Sequence, residues 1–309
     1  NNAMLCRKKT PSEFVFLVNK LILMLFLILS IVCSVTVGVL FKWFRNHPAL
    51  NSKAIIATNY AIALLLCYFC FPPEFSRLAE QAPWPLYLAL GLLLPGVFLL
   101  LSQSIQHIGI VKTDAAQRLS LFIPLLASWL LFGEQFSALK VLAFGVGFPA
   151  LLLILSKPTV NSNSNWGYPA MVLLGFGVID ILFKQIALQT QLPFTTSLLV
   201  IFALALVIMS GVVGYEIYIQ RQKIAGINAL WGIAVGVFNF GNIYFYLKAH
   251  QAFSENPSTV FAGMNMGVIV LGSLIGVLVF KEKLSQKNYL GIFLALVAIV
   301  LLTYAQLKA

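Results

Sequence analysis

The stretch LILMLFLILSIVCSVTVGVLF, from Leu21 to Phe41, runs for 21 residues without a charged side chain. A helix rising about 1.5 Å per residue crosses the ~30 Å hydrocarbon core of a bilayer in about 20 residues, so this run is long enough to span a membrane. Arg7, Lys8 and Lys9 precede it as they would in a secretory signal, but the run exceeds a signal's apolar region and no A-x-A cleavage site follows. It reads as a retained first span. Met4 reads as the native start, which sets Asn1-Asn2-Ala3 aside as an expression remnant within an N-terminal tail of residues 1–19.

The rest of the chain has the same character. Of 309 residues, 60% are hydrophobic and 9% charged, with a mean hydropathy of +0.94, whereas a soluble domain carries roughly 25% charged residues. No stretch is polar enough for a soluble domain, and the unbroken apolar runs lack the alternation of a membrane β-barrel. Breaks rich in Pro, Asn, Ser and charge, such as Pro72-Pro73-Glu74, delimit ten expected spans: 20–44, 53–71, 84–106, 113–132, 138–156, 166–188, 194–219, 225–247, 257–280 and 287–304. The fold class is an all-α polytopic membrane protein. The formal charge of +11 is scattered over loops and helix ends with no basic helix face, which fits anchoring to anionic lipid headgroups rather than nucleic-acid binding. Cys67-Tyr68-Phe69-Cys70 has redox or zinc spacing, but no second ligand pair lies nearby, and His47, His107 and His250 are far apart. Cys6, Cys33, Cys67 and Cys70 are expected to be buried free thiols, with no metal and no cofactor.

Short matches recur in register between the two halves. Leu40-Phe41-Lys42 in span 1 returns as Leu182-Phe183-Lys184 in span 6, and Gly96-Val97-Phe98 in span 3 as Gly236-Val237-Phe238 in span 8. Phe132-Gly133-Glu134-Gln135-Phe136-Ser137 after span 4 is answered by Phe280-Lys281-Glu282-Lys283-Leu284-Ser285 after span 9. Two units of five spans follow, residues 20–157 and 166–305, joined by a polar linker at 158–165. An odd number of spans per unit inverts the second copy in the membrane, the architecture of many secondary transporters.

The Glu-x-x-Ser turns at Glu134–Ser137 and Glu282–Ser285, the latter followed by Gly291 and Leu301-Leu302, resemble the signature of the EamA-like domain. Pro124 matches the proline that the family commonly carries in the fourth span, whereas the second copy has Val268 or a neighbour there. The resemblance covers both units. It implies the drug/metabolite transporter superfamily: ten spans, alternating access and a central cavity between the halves.

An ionisable group at the bilayer centre costs roughly 2.5–3.5 kcal/mol on insertion scales, so each deep one calls for a reason. Asp180 lies near the middle of span 6, and Lys184 follows four residues later on the same face, in the favourable acid-before-base order. Either the two neutralise each other, or they face a cavity where Asp180 exchanges a proton or a substrate amine and Lys184 is its counter-charge. Arg118, about a turn and a half inside span 4, offers a planar fork to a carboxylate or phosphate; snorkelling or pairing with Asp114 are the structural alternatives. Lys42, equivalent to Lys184 in the repeat, sits near a helix end and is expected to snorkel.

Asn239, Asn242, Tyr244 and Tyr246 crowd two turns of span 8, and Asn265 in span 9 and Gln103 in span 3 are the other mid-span amides. Such amides either meet a substrate or join helices. The binding candidates are thus Arg118, Asp180, Lys184, Asn239, Asn242, Asn265, Gln103 and Tyr244. Spans 5 and 10 carry almost no deep polarity, as peripheral support helices around a central cavity would. Gly232-x-x-x-Gly236, Gly263-x-x-x-Gly267 and Gly272-x-x-x-Gly276 permit close backbone approach, whether for sliding helices, static packing or a homodimer face.

An intramembrane enzyme needs an aspartate dyad, a Ser–His arrangement or a metal cluster at depth, and a channel a filter-like segment. The sequence offers neither. It reads instead as a secondary active transporter, an exporter of small polar metabolites by alternating access with protons as the candidate coupling ion. A multidrug or organic-cation efflux carrier is the alternative. Arg118, Lys184, Asp180 and the amides suit a small zwitterionic or anionic substrate better than a bulky lipophilic cation. The partners expected are that substrate, protons and membrane lipids, with monomer and homodimer both open. Outside the deep helices, the terminal side carries 8 basic residues and the opposite side 10. The positive-inside rule therefore slightly favours termini outside, while the resemblance implies cytoplasmic termini in the inner membrane; the latter is the expectation here.

Overall fold

The computed structural model describes residues 11–44, 50–108, 110–155, 167–222, 224–281 and 285–308. The tail through Thr10, the linker at 158–165 and the second Glu-x-x-Ser turn except Ser285 fall outside them, as do Cys6 and His47 and the side chains of His107 and Asp114. The helices in chain order are α1 (Pro11–Phe44), α2 (Ser52–Cys70), α3 (Phe75–Gln81), α4 (Trp84–Ile108), α5 (Ile110–Leu119), α6 (Phe122–Leu130), α7 (Ala138–Leu155), α8 (Gly167–Ala187), α9 (Phe194–Tyr218), α10 (Ile227–Ala252), α11 (Pro257–Leu278) and α12 (Gln286–Lys308). No strand occurs among the described residues. Among the described residues, eight helices are long and apolar enough to cross a membrane: α1, α2, α4 and α8 to α12.

The other two expected spans differ in kind. Helix α7 is apolar but short, and the expected fourth span is two helices, α5 and α6, rather than one. Pro124 accounts for the break. It has no N–H to give the Ser120 carbonyl, so that carbonyl accepts instead from Ile123 at 3.0 Å, a tighter i+3 bond. Leu121 bonds in the same tight way to the Arg118 carbonyl, at 3.3 Å. Arg118 therefore stands in the last turn of α5 beside interrupted backbone. Helix α2 starts where Asn51 accepts from the Lys53 and Ala54 amides, and α11 starts on Pro257, whose missing N–H is harmless in a first turn.

Helix α2 packs on α9 and α10, α1 on α10 and α11, α4 on α8 and α9, and α8 on α5 and α6. Helices α7 and α12 pack chiefly on each other, at the periphery expected for spans 5 and 10. The main core joins Tyr60, Tyr87, Phe202 and Phe261 from α2, α4, α9 and α11. Outward faces stay apolar, with Leu25 and Ile28 on α1 and Leu88 and Leu92 on α4 exposed, as lipid as the solvent requires. The glycines make close contacts within the chain. A Cβ at Gly232 or Gly236 of α10 would lie 2.4 Å from Thr58 Cβ or 2.7 Å from Ile62 Cβ of α2, and one at Gly267 of α11 2.4 Å from Ile31 Cδ1 of α1. Gly272, by contrast, has no neighbour within 4 Å of such a Cβ.

Candidate functional site

Helices α1, α2, α4, α5, α8, α10 and α11 line a cavity of about 150 Å³. Its polar lining comes from Ser34, Tyr60, Gln117, Arg118, Ser120, Asp180, Asn239, Asn242, Tyr246 and Asn265. Phe98, Phe176 and Phe183 supply aromatic walls, and α4 contributes only apolar residues. Nothing in the lining comes from α7, α9 or α12. Five of the eight candidates thus meet: Arg118, Asp180, Asn239, Asn242 and Asn265.

The break between α5 and α6 and the tight packing of α2 on α10 at Gly232 and Gly236 fix where these groups stand. Arg118 lies near the C-terminal carbonyls of α5, whose partial negative charge favours a guanidinium. Asp180, from the middle of α8, accepts a 2.9 Å hydrogen bond from the Tyr246 hydroxyl and forms no ion pair among the described residues. The Ser30 hydroxyl stands 2.9 Å from Asn242 Oδ1, orienting that amide, and Asn265 Nδ2 donates back to the Phe261 carbonyl at 3.1 Å. Asn242 Nδ2, Asn265 Oδ1 and the side-chain amides of Asn239 and Gln117 have no partner among the described residues and share the cavity wall. The arrangement sets opposite charges on different helices, with unused donors and acceptors between apolar walls.

Three candidates stand elsewhere. Lys184 is fully buried, but its Nζ donates to the Ser254 carbonyl at 2.8 Å and the His250 carbonyl at 3.4 Å. It satisfies the carbonyl end of α10, where the helix dipole favours a cation. The expected Asp180–Lys184 pair does not form, because the acid turns to the cavity and the base to a helix end. Gln103 is exposed on α4. Tyr244 stacks on Phe71 and lies tilted against Phe194, with ring centroids 5.0 and 5.5 Å apart, outside the cavity lining. Tyr246, four residues beyond Asn242 and so on its face, lines the cavity instead. Lys42 places its Nζ 4.0 Å from the centre of the Phe280 ring. Cys67 is buried and Cys33 half-buried as free thiols, whereas Cys70 is exposed at the end of α2, against the expectation that it is buried.

Sequence reasoning passed over Tyr60, Ser34, Gln117 and Ser120. The last two flank Arg118, and Asn59-Tyr60 is a polar pair at the centre of an apolar run, so a signal was present for three of the four. It also missed the buried network at the helix ends on the terminal side. Glu134, from the first Glu-x-x-Ser turn, accepts from Lys140 Nζ at 2.7 Å and from the Ser258 amide at 2.8 Å and hydroxyl at 2.5 Å. Lys140 also donates to Asn256. This carboxylate sits on the N-terminus of α11 and ties one half of the chain to the other. At the opposite ends, Lys53 pairs with Glu216 at 2.5 Å and Asn51 donates to Glu216 at 2.8 Å.

A bundle of apolar helices long enough to cross a bilayer, around a small cavity with opposed charges, is the build of a multi-pass membrane protein. The comparisons give the class its name. The EamA-like transporter family model matches residues 21–156. An uncharacterized protein of Haemophilus influenzae is 44% identical over 289 residues, spanning 90% of this chain and 97% of that protein. A crystal structure of a protein 14% identical in sequence superposes with a TM-score of 0.71 over 93% of this chain and 99% of its own, a likeness of fold. The chain belongs to the EamA-like transporter family, within the drug/metabolite transporter superfamily, and is an integral multi-pass membrane transporter.

Proposed function

We propose that the protein is a secondary active carrier that exports small zwitterionic metabolites by alternating access, with Arg118 holding the anionic end and Asp180 the ammonium end or an exchanged proton. The observation that carries this is the placing of one cation and one anion, from α5 and α8, in the lining of a single cavity. A volume of about 150 Å³ fits a compact metabolite and is small for a bulky dye. Asn239, Asn242, Asn265 and Gln117 provide the remaining hydrogen bonds. No part of this reading asks for covalent chemistry.

Ten spans complete the architecture when α5 with α6 forms one broken span and α7 a short one. Two inverted repeats are supported by the packing. Exchanging α1, α2, α4, α5/α6 and α7 with α8, α9, α10, α11 and α12 turns α1–α10 into α8–α4, α2–α10 into α9–α4, and α1–α11 into α8–α5/α6, each an observed pair. The pairs α2–α9 and α7–α12 map onto themselves. Broken helices at a cavity between repeats recur in carriers. The termini are placed in the cytoplasm of an inner-membrane protein, which reporter fusions at the C-terminus check.

A transport screen in proteoliposomes with labelled amino acids, organic anions and cationic dyes tests the cargo class. Zwitterions crossing faster than either other class is the expected result. Transport of dyes alone overturns it.

A further inference from the structure

Tyr60 is fully buried at the middle of α2, lines the cavity, and its hydroxyl has no hydrogen-bond partner among the described residues. Buried polar groups in native proteins are paired nearly without exception, and one that is not calls for an explanation. A packing role explains the ring, which sits 6.3 Å from Phe202 by centroid within the main core. It does not explain the oxygen, since phenylalanine would fill the same space without burying an orphan. Nor is the hydroxyl placed by local slack. Helix α2 is held against α10 where Gly232 and Gly236 leave no room for a Cβ, and Asn239, one turn beyond Gly236, lines the same cavity. Tyr60 thus shares the cavity wall with Asn239, whose side-chain amide also has no partner among the described residues.

We propose that the Tyr60 hydroxyl is a specificity-determining group that hydrogen-bonds the cargo, and that it selects zwitterions carrying a further hydroxyl or amide over apolar ones of the same shape. The inference rests on the zwitterion reading of the cavity, in which Arg118 and Asp180 hold the two charges. Those charges are common to every such cargo and cannot tell one from another. Discrimination falls to the uncharged polar groups of the wall. A site built to hydrogen-bond a substrate strongly rejects an analogue that leaves its buried polar group unpaired, whereas an apolar pocket discriminates weakly. An unpaired Tyr60 hydroxyl is the first situation. An apolar cargo would leave it without a partner in the loaded state.

The experiment uses the full chain in proteoliposomes with two isosteric pairs of labelled zwitterions, asparagine against leucine and threonine against valine. Uptake efficiency within each pair is compared between wild type and Tyr60→Phe, and melting temperature in detergent is measured for both. The wild type is expected to favour the polar member of each pair by about tenfold or more. Tyr60→Phe is expected to bring that ratio close to one, mainly by slowing the polar member, while melting at or above the wild-type temperature. A marked fall in melting temperature assigns the hydroxyl a structural role and overturns the inference. So does a wild type without preference, or a preference that survives in Tyr60→Phe. In each of those cases zwitterions still cross and the carrier reading stands. A wild type that transports none of the four removes the carrier reading, and this inference with it.

Discussion

Removing the Glu134 carboxylate should damage the protein more than removing the Lys140 ammonium that faces it. Both residues are 3% exposed, and their 2.7 Å contact closes the terminal-side ends of α6, α7, α10 and α11. In Glu134→Ala, the Lys140 ammonium keeps only the Asn256 oxygen among the described residues, and the Ser258 amide at the start of α11 loses its acceptor. Breaking a buried pair in this way costs about 3–5 kcal/mol, because the remaining charge is desolvated and uncompensated. In Lys140→Ala, the carboxylate still accepts the Ser258 amide and hydroxyl at a helix N-terminus, where the dipole favours an anion. Its loss is closer to one charge-assisted hydrogen bond, about 2 kcal/mol. Replacing both by apolar residues of similar size, Glu134→Leu with Lys140→Met, removes the stranded charge and should return to within about 2 kcal/mol of wild type. Reversible unfolding of the purified protein in detergent micelles, taken as a double-mutant cycle, reads all three. A double variant as unstable as the sum of the singles would refute the reasoning, and so would Lys140→Ala costing as much as Glu134→Ala.

Lys184→Met strips the cation from the end of α10 and is expected to lower the melting temperature, while KM for any transported cargo changes less than about twofold, since the side chain does not line the cavity. A large KM effect at unchanged stability would return Lys184 to the binding site. Gly267→Ala forces a Cβ to 2.4 Å from Ile31 and should destabilise, whereas Gly272→Ala meets nothing within 4 Å and should gain about 0.5–1 kcal/mol from helix propensity; parallel melting curves check both. Asp180→Asn should flatten the pH dependence of transport, measured as uptake under an imposed proton gradient, and an unaltered profile removes the proton role.

Much of the fold was legible because lipid imposes a simple code: about 20 apolar residues per crossing, with polar punctuation between. Where that code failed, the cause was local backbone chemistry. Pro124 was noticed as a motif residue, but its effect on the Ser120 carbonyl divides the fourth span into α5 and α6. The cavity was legible where polarity was conspicuous, in Arg118, Asp180 and the three asparagines. Spacing along one helix misjudged Lys184. Residues 180 and 184 share a face, yet Asp180 meets the Tyr246 hydroxyl while Lys184 meets the carbonyls of His250 and Ser254, and only the position of α10 decides where the ammonium finds its partners. Tyr60 was passed over although Asn59-Tyr60 is a polar pair within an apolar run, since a tyrosine there reads as packing until the other helices close around it. Glu134 carried a family signature without a stated job, and its partner Ser258 lies 124 residues away.

The central claim is that Arg118 and Asp180 together hold one zwitterion in a carrier. It is tested most directly by counterflow in proteoliposomes loaded with unlabelled zwitterion, comparing wild type with Arg118→Gln and Asp180→Asn. The account predicts trans-accelerated uptake of label in the wild type and its loss in each variant, with folding intact by melting temperature. Uptake indifferent to the internal load, or undiminished in both variants, would contradict it.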